Sequence, residues 1–159
     1  MPAPVPSPVD DLDRIMEVME RAFAPEYGEA WNRRQIGDAL LLPNTRYGLI
    51  ADDGGESFAD GQATAGFFLS RSILDEEELL LFAISPDFRL RGLGHALLSR
   101  FIEQARSNGM KRLFLEMRSE NPAGILYAAH GFRAVGHRAG YYRTPDGLRL
   151  DAVSQALDL

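Results

Sequence analysis

"LLLFAISPDFRLRGLGHALL", residues 79–98, decides how the chain is read. Its first six residues are uninterrupted apolar positions, Leu79 to Ile84, the length of a buried strand. Beyond Ser85 and Pro86 the pattern changes. Leu97, Leu98, Phe101, Ile102 and Ala105 recur at helical spacing, so 92–108 reads as a helix with Gly109 placed to end it. Two glycines, Gly92 and Gly94, stand at this strand-to-helix junction. Glycine weakens both elements, so the pair needs a reason. A helix N-terminus offers unpaired N–H groups and the positive end of a dipole. Without Cβ atoms, Gly92 and Gly94 would let an anion approach those groups, with Arg89 and Arg91 adding charge. That is a workable pyrophosphate cradle, and a side chain at either glycine is expected to crowd it. A tight turn that binds nothing is the alternative, and local spacing does not separate the two.

Two nucleotide-binding patterns are excluded. A dinucleotide fingerprint needs a third glycine where Leu97 stands, and the P-loop needs a Gly-Lys pair that the chain lacks.

Outward from the junction, the chain alternates cleanly. Leu12, Ile15, Met16, Met19 and Phe23 mark an amphipathic helix over 10–24, with Asp10 or Asp11 as candidate cap. A less regular helix over 31–42 ends before Pro43. Strands follow at 45–51, 63–73 and 77–84. After the 92–108 helix come a strand at 112–118 and a short helix between Pro122 and Gly131. Two closing strands lie at 134–142 and 148–159. This order implies a mixed α/β sheet of the α+β kind, with helices packed over it.

The 159 residues fit one domain, 10–159, behind a proline-rich tail at 1–9 expected to be mobile. No segment is apolar for long enough to span a bilayer, and the start lacks a secretory pattern. With no cysteine either, a cytoplasmic protein without membrane association is expected. Cysteine's absence also removes disulfides, thiolate metal sites and a thiol nucleophile. The net charge of -6 argues against nucleic acid and suits basic partners.

"RLRGLG" resembles the R/Q-x-x-G-x-G/A signature of the GNAT N-acetyltransferase superfamily, with Arg89, Gly92 and Gly94 in the defining places. "LFLEMRSEN", "LYAAHGF" and "YY" followed by "DAVSQAL" extend the likeness to the bacterial ribosomal-protein-alanine N-acetyltransferases from about Asp75 onward. Earlier, "AFAPEYGEAW" only loosely resembles the family's substrate-side loop. The resemblance implies a GNAT fold, a mixed central sheet flanked by helices on both faces. It implies acetyl-coenzyme A as co-substrate, no metal, and the N-terminal α-amine of a ribosomal protein as acceptor. Carried over by position, Phe82, Ala83 and Ile84 would line the pantetheine arm. Leu90, Arg91, Gly92, Leu93, Gly94 and His95 would form the phosphate loop with Arg89, and Asn121 would contact the coenzyme. Glu116 would be the base and Tyr127 the acid. Six positions separate Asn121 from Tyr127 where the family has seven, and Pro122 enters the gap.

The residues themselves leave more open. Glu116 shares a strand face with Phe114 and Arg118, so a solvated glutamate paired loosely with Arg118 is the plain alternative. Tyr127 sits at an ordinary core position. A free α-amine, with pKa about 7.7–8.0 against about 10.4 for lysine, asks little of a base. His95, His130 and His137 show no metal-ligand spacing, and no Gly-x-Ser-x-Gly elbow exists. The acidic run Asp75 to Glu78 is a solvated strand approach that could border a groove for a basic peptide. Acetylation of another N-terminus, a lysine or a small amine remains an alternative. So does coenzyme A binding without turnover.

Overall fold

The computed structural model describes residues 8–23 and 27–159. The tail expected at 1–9 lies, up to residue 7, outside the described residues. Six strands form one mixed sheet. The elements follow the sequence order: α1 (Pro8–Ala22), α2 (Arg33–Leu40), β1 (Thr45–Ala51), β2 (Thr64–Ile73), β3 (Glu76–Ile84), α3 (Leu93–Ser107), β4 (Arg112–Arg118), α4 (Ala123–Ala129), β5 (Arg133–Arg143) and β6 (Arg149–Asp158). Helix α1 begins at Pro8, so Asp10 and Asp11 sit in its first turn rather than at its cap. Asp11 is spent on tertiary contacts instead: it pairs with Arg14 and accepts from the Tyr47 hydroxyl at 2.7 Å. Helix α2 is shorter than its sequence pattern because a capping box of Asn32 and Gln35 starts it at Arg33.

Strand order is β1-β2-β3-β4-β6-β5. All neighbours are antiparallel except β3 and β4, which run parallel. That crossover needs a helix between them, and α3 supplies it. Helices cover both faces. On one, Leu97, Leu98 and Phe101 of α3 and Tyr127 of α4 bury against Phe68, Leu79, Leu113 and Leu115. On the other, Ile15 and Met19 of α1 and Ile36 of α2 pack on Phe67, Leu69 and Leu81. Because β2 and β3 are buried on both faces, they read as apolar runs.

The junction of β3 and β4 sets where the sheet opens. The β3–β4 ladder runs from Glu76↔Arg112 to Leu79↔Leu115 and stops. On the other side, β3 stays paired with β2 as far as Ile84, while β4 stays paired with β6 to Arg118. The two strands therefore part after four rungs, and the β4-facing edge of β3 has no strand partner beyond Leu79.

Candidate active site

A cavity of about 740 Å³ opens where the strands part. Phe82, Ala83 and Ile84 line it from the free edge of β3. The α3 N-terminus forms its second wall through Gly92, Leu93, Gly94 and His95, with Leu90 and Arg89 leading in. Asn121 lines it from the β4–α4 turn. Ten of the eleven residues expected to hold a coenzyme thus converge on one space. The exception is Arg91, whose guanidinium lies over the Phe88 ring, 5.5 Å from its centroid.

The α3 N-terminus is left open toward the cavity. No side chain caps it, and the first N–H to return into the helix is that of Ala96, to the Gly92 carbonyl at 3.1 Å. The N–H groups of Leu93, Gly94 and His95 are left to point out of the helix end. Gly92 takes φ 78°, which is why it is glycine, and an added Cβ there would meet no atom within 4 Å. At Gly94 a Cβ would touch Leu126 at 3.4 Å and Ile84 at 3.7 Å, ordinary contact distances, so the packing around it leaves room for a methyl group. Leu90, wholly exposed, also sits at positive φ, 64°.

Arg89 departs from the expected charge role too. Its Nε donates to the Ile84 carbonyl at 3.0 Å, and a terminal nitrogen donates to the Ala22 carbonyl at 3.3 Å. It ties the end of β3 to the end of α1. Asn121 accepts the Ala123 N–H on Oδ1 at 3.0 Å, spanning Pro122, which is itself the N-cap residue of α4. The shortened Asn121–Tyr127 interval thus places Pro122 at the helix start and leaves Asn121 beside the cavity.

Neither Glu116 nor Tyr127 lines the cavity itself. Glu116 is the first β4 residue past the last β3 rung and faces away from α3 and α4. Its partners are the Ser154 hydroxyl, which donates to it at 3.3 Å, and Arg138 at 3.9 Å. The pairing with Arg118 suggested by the sequence does not occur. Instead Arg118, nearly buried, pairs with Glu29 at 3.0 Å and Glu120 at 3.5 Å, and stands 3.7 Å over the Tyr27 ring. Tyr127 is buried on the α4 side, edge-on to Phe82 at 6.1 Å and tilted against Phe132 at 5.8 Å. Burial first, then the Glu29 charge, push its pKa well above the usual tyrosine value. Tyr142 is pushed up to about 12 by burial and by the charges of Glu116 and Glu29.

Tyr27 and Glu29, from the stretch that only loosely resembled a substrate-side loop, line the cavity, as does Glu120, which no sequence pattern singled out. The acidic run at 75–78 is a correction. It sits at the opposite end of β3, about 16 Å along the strand from Phe82. There Asp75 lies 3.9 Å from Lys111, Glu78 pairs with Arg71 at 2.7 Å, and Glu77 is buried near Arg46. The histidines bring a second surprise: His95 and His130, 35 positions apart, meet with ring nitrogens 3.0 Å apart.

A parallel strand pair that splits beside an uncapped helix end leaves backbone donors and a free strand edge facing one cleft, an arrangement suited to a ligand with an anionic end and an extended arm. The chain belongs to the acetyltransferase (GNAT) family, which it matches over residues 12–132. It is an acetyl-coenzyme A-dependent N-acetyltransferase. The [ribosomal protein bS18]-alanine N-acetyltransferase of Salmonella typhimurium is 40% identical over 150 residues, covering 94% of this chain and 92% of that one. The crystal structure of the ribosomal-protein-S18-alanine N-acetyltransferase from Escherichia coli superposes with a TM-score of 0.78 at 30% identity. It covers 96% of this chain and 90% of that one. A Salmonella typhimurium protein solved with its cofactor acetyl-CoA is 27% identical, TM-score 0.55, over 61% of this chain and 59% of that one.

Proposed function

We propose that this enzyme acetylates the N-terminal alanine of a small-subunit ribosomal protein in the bacterial cytoplasm, through one catalytic domain over about residues 10–159. The observation that carries the reading is the cleft at the β3–β4 split. It has helix-end N–H groups at one end and a carboxylate pair, Glu29 and Glu120, at the other. The positive end suits phosphates, and the negative end suits a cationic acceptor. The activity of the relatives above supplies the particular substrate.

Acetyl-coenzyme A, when bound, supplies an activated acyl carbonyl and a thiol leaving group. Leu90 to His95 bind its phosphates through backbone N–H groups. Phe82, Ala83 and Ile84 orient the arm along the free edge of β3, and the Asn121 amide offers a donor beside it. Glu116, steadied by Ser154 and Arg138, accepts the acceptor amine's proton directly or through one water. Tyr127 holds its proton at the hydroxyl, and its raised pKa keeps it there across the physiological range. An ordinary thiol has a pKa of about 8.5 and an ordinary tyrosine about 10, so a complete prior transfer would cost at least about 2 kcal/mol. The upward shift enlarges that cost. Donation therefore accompanies departure of the sulfur.

The test is mass spectrometry of a peptide panel after incubation with acetyl-coenzyme A. The panel holds an alanine-initiated basic ribosomal peptide, an N-terminally blocked lysine-bearing version, and small amines. Acetyl on the free α-amine alone is expected. Acetyl on lysine or on a small amine overturns the substrate assignment.

A further inference from the structure

His95 occupies the first turn of α3 and lines the cavity at its phosphate end. His130 is the C-cap residue of α4. The rings stack, with centroids 5.2 Å apart, and His95 Nδ1 lies 3.0 Å from His130 Nε2. One of these two nitrogens must donate and the other accept, so the contact holds a single proton. If His95 carries an N–H on both ring nitrogens, His130 is an acceptor already in place for it.

From this geometry we infer that His95 and His130 form a protonatable anion clamp, in which His130 accepts the Nδ1 proton and an imidazolium at His95 faces the pyrophosphate of the bound nucleotide. The inference rests on the coenzyme-binding reading of the cleft. His95 would be the group that meets the ligand, and His130 a positioning residue that acts through it.

The surroundings leave that charge to the pair. Arg89, the cation at the same end, is spent on the carbonyls of Ile84 and Ala22. Arg91 lies over Phe88. On β5, next after α4, Arg133 pairs with Asp158. Glu29 and Glu120 each pair with Arg118. Among the described residues, no carboxylate pairs with either imidazole, so no fixed negative charge holds a proton there. Burial and the His95 charge lower the His130 pKa, which keeps His130 neutral and able to accept. An arriving anion then favours the protonated form of the pair, and up to one proton is taken up on binding.

The sign follows directly. Proton uptake on binding means that affinity falls as pH rises, by about tenfold per pH unit while one full proton is linked. The probe is 3′-dephospho-coenzyme A, whose pyrophosphate diester does not titrate between pH 6 and 8. Calorimetry in buffers of different ionisation enthalpy counts the protons directly. Wild type is expected to take up between about half and one proton near pH 7. His95→Gln and His130→Phe should each reduce uptake to near zero and flatten the affinity–pH curve. His95 is exposed, so its variant does not threaten the fold, and a thermal melt checks both. Unchanged uptake in either variant, or binding by wild type without uptake, overturns the clamp. Absence of binding at every pH would overturn the cleft reading itself.

Discussion

The two glycines at the α3 terminus make opposite predictions for the same substitution, alanine. At Gly92 the difficulty is conformational. The backbone stands at φ 78°, ψ 3°, a region that costs an L-residue about 1–2 kcal/mol. No neighbour lies within 4 Å to compensate or to clash. For a chain of this length, 1 kcal/mol lowers the melting temperature by about 2–4 °C, so Gly92→Ala should melt about 2–8 °C below wild type. At Gly94 the backbone is helical, and the added methyl would sit at 3.4 Å and 3.7 Å from Leu126 and Ile84, ordinary contact distances. Replacing a helical glycine by alanine favours the helix by up to about 1 kcal/mol. Gly94→Ala should therefore melt at or above wild type, by up to about 4 °C. Thermal unfolding of the ligand-free proteins, followed by circular dichroism, makes the comparison. If Gly94→Ala proves the more damaging of the two, the reading that Gly92 is held by its backbone geometry while Gly94 has room for a methyl group is wrong.

Tyr127→Phe removes only the hydroxyl, so coenzyme affinity should stay within about twofold while turnover falls about 10²–10⁴-fold, as for loss of a general acid. Because burial and Glu29 raise the Tyr127 pKa, the hydroxyl stays protonated as pH rises. The wild-type rate should then show no alkaline decline from this group up to pH 10, and a tyrosine-dependent fall below pH 9 would contradict the assignment. Arg118→Met strands Glu29 against the cleft wall. The cost should be about 1–3 kcal/mol, below the ~3–5 of a fully buried pair, because Glu29 and Glu120 keep access to water. A melting temperature equal to wild type would show that the Arg118 pairs with Glu29 and Glu120 add nothing to stability.

Much of this was legible in the sequence because period and punctuation are local. The apolar run at Leu79 to Ile84, the helical stripe at Leu97 to Ala105 and the alternation at Leu113, Leu115 and Met117 each require only neighbouring residues. All three appear where expected. The element ends moved where a cap intervened, as at Asn32. What stayed hidden joins distant segments. Glu29 and Arg118 are 89 positions apart, and His95 and His130 are 35 apart; nothing at either partner signals the other. Charge type misled for a similar reason. Arg89 looked available to phosphate, yet two backbone carbonyls claim it. The acidic run at 75–78 looked like a substrate guide, yet the parting of β3 and β4 placed the cleft at the other end of the strand.

The four-rung junction between β3 and β4 also has a mechanical meaning. It divides the sheet into two three-stranded halves, β1-β2-β3 and β4-β6-β5, joined by few bonds at one end and free at the other. A molecule lying in the split touches both halves at once and so acts as a removable rivet. Ligand binding should then slow amide exchange not only along the edge of β3 but across β6 and β5, which the ligand never contacts. The empty enzyme would flex about the closed end like a pair of tongs.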